Sequence, residues 1–243
     1  MSLLDGRTVA VTGGANGLGA GIVRRFHAEG ARGFVVDLPS AADRDVPPGW
    51  RSIGVDVRDD KSVAAAFEQV SSIDVLVAAA GVVPGWTPVA ELDLDEWDDV
   101  FRVNVRGMIS TFKHARLTDG GAIVAIGSLN SWRGDPNIAG YVASKHAVLG
   151  IVRSAALELG RRGIRVNALG PGPIATGALL ARMQRREREL GLPVEEALAA
   201  AARQTALGRM ATIDEVAAAA LFLASDLSSG ITGHLLPVDA GIA

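Results

Sequence analysis

The chain of 243 residues has no cysteine, one tyrosine and only 5% aromatic residues. Without cysteine, disulfides are excluded, and so is any metal site or nucleophile that depends on a thiolate. Basic runs are missing too. The net charge is −3, and no lysine- or arginine-rich stretch provides the electrostatic footprint of a nucleic-acid binder. The densest charged run, Gln184 to Glu189, mixes both signs and reads as a solvated helix face. No apolar stretch is long and uninterrupted enough to span a bilayer, and the first residues show no basic segment leading into an apolar signal core. The expectation is a soluble cytoplasmic protein without membrane or nucleic-acid partners. The histidines, His27, His114, His146 and His234, lack metal-binding spacing, so neither a metal site nor a histidine base is expected.

What is present is glycine, 29 residues of it, in a chain that is 49% hydrophobic. An Ala/Val/Leu/Ile/Gly core with tight strand-to-helix turns suits an α/β enzyme. Short apolar runs predict strands at Thr8–Thr12, Phe34–Asp37, Arg51–Val57, Ile73–Ala78, Ala122–Ile126, Arg165–Leu169 and Leu235–Val238. Helical periodicity starts near Leu18, covers Asp60–Val70 and Gly140–Leu159, and supports a long helix starting near Asp95, whose side chain would cap it. Strict alternation implies parallel strands joined by right-handed crossovers: one doubly wound α/β domain over 1–243, with a seven-stranded parallel sheet and helices on both faces. The segment 172–209, rich in alanine and charge, interrupts this order and is expected to form a mobile substrate-binding lid.

Two patterns carry chemistry. Tyr141 and Lys145 stand four residues apart in the helix, so an ammonium can sit beside a phenol and favour its phenolate. Thr12-Gly-Gly-Ala-Asn-Gly-Leu-Gly19 places Gly13, Gly17 and Gly19, with Asn16 and Leu18, between a strand and a helix. There the backbone can approach a pyrophosphate closely while the helix N-terminus offers N–H groups to it. Asp37 ends the second strand, where a carboxylate accepts ribose hydroxyls and repels a 2′-phosphate; with no lysine or arginine directly after it, NAD is expected over NADP. Asp56, near the end of the third strand, is a weaker candidate for an adenine contact, beside Val57, and a capping role is an equal alternative.

These motifs resemble the short-chain dehydrogenase/reductase family, and the resemblance runs over nearly the whole chain. Thr12 to Gly19 is similar to its cofactor loop, Tyr141-x3-Lys145 to its catalytic pair, and Pro171-Gly172 to the turn after its sixth strand. The resemblance implies a Rossmann-like fold and further site residues. Ser128, thirteen residues before Tyr141, matches the catalytic serine, although Ser131 competes with it, and Asn104 matches the fourth catalytic position. Thr176 matches the nicotinamide carboxamide contact, with Pro171, Gly172 and Ile174 before it and Ala80-Gly81 also at the cofactor. A departure is Ala78-Ala-Ala-Gly81, where the family usually has Asn-Asn-Ala-Gly; the loss of two amides puts sheet stability and cofactor affinity in question.

The function implied is reversible NAD(H)-dependent hydride transfer between a secondary alcohol and its ketone. The alternatives are an NADPH-dependent 3-oxoacyl thioester reductase and, from another class, a dinucleotide-sensing module without catalysis. Trp86, Trp132, Leu179, Leu180 and Met183 are nominated for a mostly apolar substrate pocket, in which no cationic side chain clearly addresses an anion, with Arg133 and Arg182 kept in view. Small residues Ala143, Ala147 and Gly150 on the helix of Tyr141 exceed what one sheet-facing side needs, and the resemblance implies a homodimer or homotetramer.

Overall fold

The computed structural model describes residues 2–41, 45–70 and 72–242. Seven strands form one sheet: β1 (Thr8–Thr12), β2 (Arg32–Asp37), β3 (Trp50–Gly54), β4 (Ile73–Ala78), β5 (Leu117–Ile126), β6 (Arg165–Pro171) and β7 (Leu235–Val238). Their order is β3-β2-β1-β4-β5-β6-β7, and every neighbouring pair is parallel. After β1 the chain builds outward through β2 and β3, then returns to add β4 on the other side. That reversal opens a crevice at the carboxyl ends of β1 and β4, where sheets of this kind bind ligands.

The strands are apolar on both faces because both are covered. One core packs Val9, Val11, Val35, Val77 and Val124 under α1 (Gly17–Ala28) and α8 (Ile213–Ala224), through Ile22, Phe26, Val216 and Leu221. The other packs Ala10, Val36, Leu76 and Ile123 under α2 (Asp60–Glu68), α4 (Met108–His114) and α5 (Ala139–Leu159), through Phe67, Met108, Val148 and Val152. Alternate residues of one strand thus serve opposite layers. Among the described residues no helix is long and apolar enough to cross a membrane.

The long helix after β4 departs from its expected form. It begins as α3 (Leu94–Phe101), capped by Asp93 rather than Asp95: the Asp93 carboxylate accepts the Asp95 N–H at 2.8 Å. The cap lies two residues earlier because that carboxylate needs an extended backbone, which Asp93 has. The helix then widens into a π-helical turn over Arg102–Gly107 before continuing as α4. β3 ends at Gly54, short of Val57. Segment 172–209 holds two helices, α6 (Gly177–Leu190) and α7 (Val194–Arg203).

Candidate active site

The glycine turn is shaped by contacts that leave no room for side chains. Gly13 has φ +67°, and a methyl group there would lie 2.7 Å from the Ala80 nitrogen. One on Gly19 would overlap the Gly13 carbonyl. The turn therefore closes on itself and against the end of β4, where Thr12 accepts the Ala79 N–H at 3.1 Å and, through its hydroxyl, the Ala80 N–H at 3.5 Å. Main chain and one hydroxyl thus join β1 to β4 at the position where Ala78-Ala79 replace two asparagines. Helix α1 starts at Gly17 with no side-chain cap from the exposed Asn16 and no acidic residue in its first turn. Its unpaired N–H groups and positive dipole end are left for an anion. These features fit a dinucleotide pyrophosphate.

Asp37 holds this turn in place. One carboxylate oxygen accepts the Ala15 N–H at 2.9 Å and the other accepts the Leu38 N–H at 2.8 Å. Each oxygen keeps a further lone pair, which is what a ribose diol would use. The Asp56 carboxylate is engaged by the Arg58 guanidinium at 2.6 Å and 3.0 Å, which holds its pKa below the ordinary value. The cap of α2 is Asp59 instead. Val57 turns inward and packs on Gly107 of the π turn.

Ser128, Asn104 and the pair Tyr141 and Lys145 come from three separate elements, the turn after β5, the π turn and α5, and the structure brings them to one place. Ser128 follows β5, is 7% exposed, and its hydroxyl faces the Tyr141 phenol closely enough to favour the phenolate. A tight 3-10 turn fixes it: the Ser131 hydroxyl accepts the Ser128 N–H at 3.1 Å, and the Ser128 hydroxyl accepts the Asn130 N–H at 3.1 Å. Ser131 therefore supports Ser128. Asn130, which the sequence did not single out, is buried with its Nδ2 unpartnered among the described residues.

Lys145 is 5% exposed and donates to the Ile126 carbonyl at 2.8 Å. Its ammonium lies 5.6 Å from the Tyr141 ring centroid. Burial lowers its pKa to about 8. Tyr141 behaves opposite to expectation, because burial raises the phenol, and the opposing influences are the Ser128 hydroxyl and the charge of Arg182 rather than Lys145. The desolvation that brings these groups together outweighs the stabilisation of the phenolate.

Asn104, fully buried in the π turn, donates to the Val82 carbonyl at 3.0 Å and to the Ser144 hydroxyl at 3.1 Å, while its Oδ1 accepts the Val82 N–H at 2.8 Å. It thereby ties the loop after β4 to α5. Gly81 completes the junction: a methyl there would lie 3.2 Å from Asn104 Oδ1 and 3.7 Å from Lys145 Nζ. Thr176 caps α6, accepting the Leu179 N–H at 3.3 Å, and its methyl lies 4.0 Å from where a side chain on Gly17 would begin. Ile174 bridges to Ala211, and Gly172, after Pro171, packs on Asp239. Leu18 is half-buried against the first core.

Of the pocket residues, Met183 is buried, and Leu179 and Leu180 are half-buried. Trp132 lies over Gly170 near the end of β6 and remains 42% exposed. Trp86 is stacked by two arginines of α6, with Arg182 Cζ 4.0 Å and Arg186 Cζ 5.0 Å from the ring centroid. The site is more cationic than the apolar pocket expected. Away from it, His146 bonds to the Val142 carbonyl at 2.9 Å. Among the described residues no group of three or more His, Asp or Glu side chains is arranged to hold a metal.

A family model described as "Enoyl-(Acyl carrier protein) reductase", of the short-chain dehydrogenase type, matches residues 13–243. The chain belongs to the short-chain dehydrogenase/reductase family. It is 38% identical over 256 residues to xanthoxin dehydrogenase of Arabidopsis thaliana, covering 98% of this chain and 90% of that one. Identity is also 38%, over 250 residues, to cis-4-hydroxycyclohexanecarboxylate dehydrogenase of Sinomonas cyclohexanicum, covering 97% and 96%. A short-chain dehydrogenase family protein from Francisella tularensis subsp. tularensis SCHU S4 superposes with a TM-score of 0.91 at 26% identity, covering 97% of this chain and 98% of that one. The Rossmann-like sheet and the family together make this chain an oxidoreductase that uses a nicotinamide dinucleotide to interconvert a secondary alcohol and its ketone.

Proposed function

We propose that the cofactor is NAD(H), that Ser128, Tyr141, Lys145 and Asn104 carry the reaction, and that 1–243 acts as one catalytic domain with 172–209 as the lid over its substrate. The observation that supports this reading best is a buried lysine 5.6 Å from the Tyr141 ring, with the Ser128 hydroxyl acting on the phenol, at the crevice where the glycine turn meets β4. Gly13, Asn16, Gly17, Leu18 and Gly19 would hold the pyrophosphate, and Asp37 the adenosine ribose. Val57 and the rim at Asp56 would lie at the adenine. Ala80, Gly81, Pro171, Gly172, Ile174 and Thr176 would line the nicotinamide half. When bound, the dinucleotide supplies or accepts the hydride.

The rest of the chemistry belongs to side chains. Ser128, its hydroxyl oriented by the turn through Ser131, holds the substrate oxygen. Tyr141 gives the proton to the forming alcoholate in reduction and removes it in oxidation. Lys145 holds ribose hydroxyls and, once its ammonium is drawn toward them, lowers the cost of a Tyr141 phenolate. Asn104 keeps the loop after β4 and α5 in register and ends a proton path to solvent. Trp86, Trp132, Leu179, Leu180 and Met183 would enclose the substrate.

The test is direct. NADH and NADPH oxidation is followed against ketones, sugars, steroids and a 3-oxoacyl thioester, with wild type and Tyr141→Phe. Turnover with NADH is expected, and its fall by about 10²–10⁴-fold in the variant with unchanged dinucleotide affinity. Retained turnover would remove Tyr141 from the mechanism. The wording of the family model favours keeping the thioester in that panel; a preference for NADPH with that substrate would replace the reading of Asp37. A cytoplasmic location and a homodimer or homotetramer complete the proposal.

A further inference from the structure

Two arginines of α6 are left with donors that nothing among the described residues uses. Arg182 and Arg186 stand one helical turn apart and share the ring of Trp86, 4.0 Å and 5.0 Å from its centroid. Like charges at this spacing repel. Stacking satisfies the face of a guanidinium but not its edge, because the N–H bonds lie in the plane and point away from the ring. Arg182 Nε and Nη2 are shut off from solvent and have no hydrogen-bond partner among the described residues, and Arg186 Nε is in the same state. Nε and Nη2 form one edge of the guanidinium, the pair of parallel N–H groups that clasps two carboxylate oxygens.

Unpaired buried donors on a cation are costly, so the arrangement is incomplete without an anion. Asp135 is a carboxylate whose charge acts on Arg182, yet no ion pair joins them among the described residues. Trp86 comes from the loop after β4 and Arg182 from the helix after β6, so both stand at the carboxyl ends of the strands, beside the reacting groups. The charge of Arg182 acts on the Tyr141 phenol, so the guanidinium with its unpaired edge stands close to the groups that meet the alcohol or ketone.

We propose that the substrate is an oxo or hydroxy acid whose carboxylate docks on the Nε–Nη2 edge of Arg182, with Trp86 setting the plane of the guanidinium and Arg186 adding charge behind it. This rests on the ketone-reductase reading given above. Segment 172–209 then selects the substrate by charge as well as by shape.

The proposal is tested with matched acids and esters. Levulinate and the oxocyclohexanecarboxylates are each compared with their methyl esters as substrates with NADH. The acid is expected to exceed the ester by about 10- to 100-fold in kcat/KM, the effect of one charge-assisted bidentate contact. Arg182→Gln brings that ratio to about one, and Arg182→Lys recovers part of it. A wild-type ratio near one, or a ratio that persists in Arg182→Gln, overturns the proposal and leaves ketone reduction standing. A second measurement does not require turnover. Benzoate is titrated by calorimetry into the protein with NAD, and binding is expected in wild type and absent in Arg182→Gln, whose fold is checked by circular dichroism. If no ketone turns over, the reductase reading fails on its own, while benzoate binding still supports the arginine site and its absence in wild type still overturns it.

Discussion

At the scale of single residues, Tyr141 and Lys145 carry opposite shifts with one cause. Burial disfavours the charged form of each, so the phenol moves up and the ammonium moves down, to about 8. Because Tyr141 is the chain's only tyrosine, phenolate absorbance reads it alone. Its midpoint without cofactor should lie above that of free tyrosine and rise further in Arg182→Gln, since the guanidinium charge opposes the shift. A midpoint below free tyrosine would contradict the burial argument. Lys145 makes a stability prediction as well. Below pH 8 the folded and unfolded lysine are both protonated, and the full cost of the buried charge, about 3 kcal/mol, is present. Between pH 8 and 10.5 the folded lysine has released a proton that the unfolded one keeps, so the cost fades and stability rises with pH. Lys145→Met should therefore lose turnover yet gain roughly 1–2 kcal/mol at pH 7, after about 1–2 kcal/mol is given back for orphaning the Ile126 carbonyl. Denaturant melts at pH 7 and pH 10 check it, with the gain vanishing at the higher pH.

At the scale of elements, the π turn joins the fold to the site. Widening the helix over Arg102–Gly107 turns Asn104 inward, where its amide replaces a strand partner for Val82. Asn104→Ala should cost about 1–3 kcal/mol in urea unfolding and weaken dinucleotide binding, because the Val82 tether also positions Gly81. An unchanged midpoint would show that those bonds do not hold the loop. Legibility from sequence divides along the same line. The strands were readable because burial on both faces writes them as continuous apolar runs, such as Thr8–Thr12 and Ile73–Ala78, and the glycine turn because only glycine fits against Ala80 and the Gly13 carbonyl. The polar residue in the helix could be noticed, but the π turn it occupies depends on Val82, twenty-two residues away. The Arg58 partner of Asp56 could not be anticipated, because a pair two residues apart leaves no periodic trace. Arg186 was hidden in the mixed-charge run from Gln184 to Glu189, which reads as solvated, and Arg182, though in view for the pocket, gave no sign of its partner. Their role depends on Trp86 arriving from another loop, a tertiary contact without a pattern in sequence.

At the scale of the whole molecule, the outer faces of α4 and α5 carry apolar surface that the two cores do not use. Ile109 is 45% exposed and Leu157 84% exposed, and Gly150 lies on the outside of α5 with nothing within 4 Å of where its side chain would begin. Small residues on an exposed helix let a second helix approach closely, and exposed apolar groups beside them supply the area an interface needs. This is the face through which a dimer or tetramer should form. Gly150→Arg separates association from folding, because the open space accepts the side chain in the monomer and replacing a mid-helix glycine adds up to about 1 kcal/mol of helix propensity. Sedimentation velocity of the wild type should give a mass of two or four chains. The variant should give a smaller assembly, while its circular dichroism and thermal midpoint in the dissociated state show an intact fold. A monomeric wild type, or a variant that assembles unchanged, would place the interface elsewhere and leave Ile109 and Leu157 as ordinary surface.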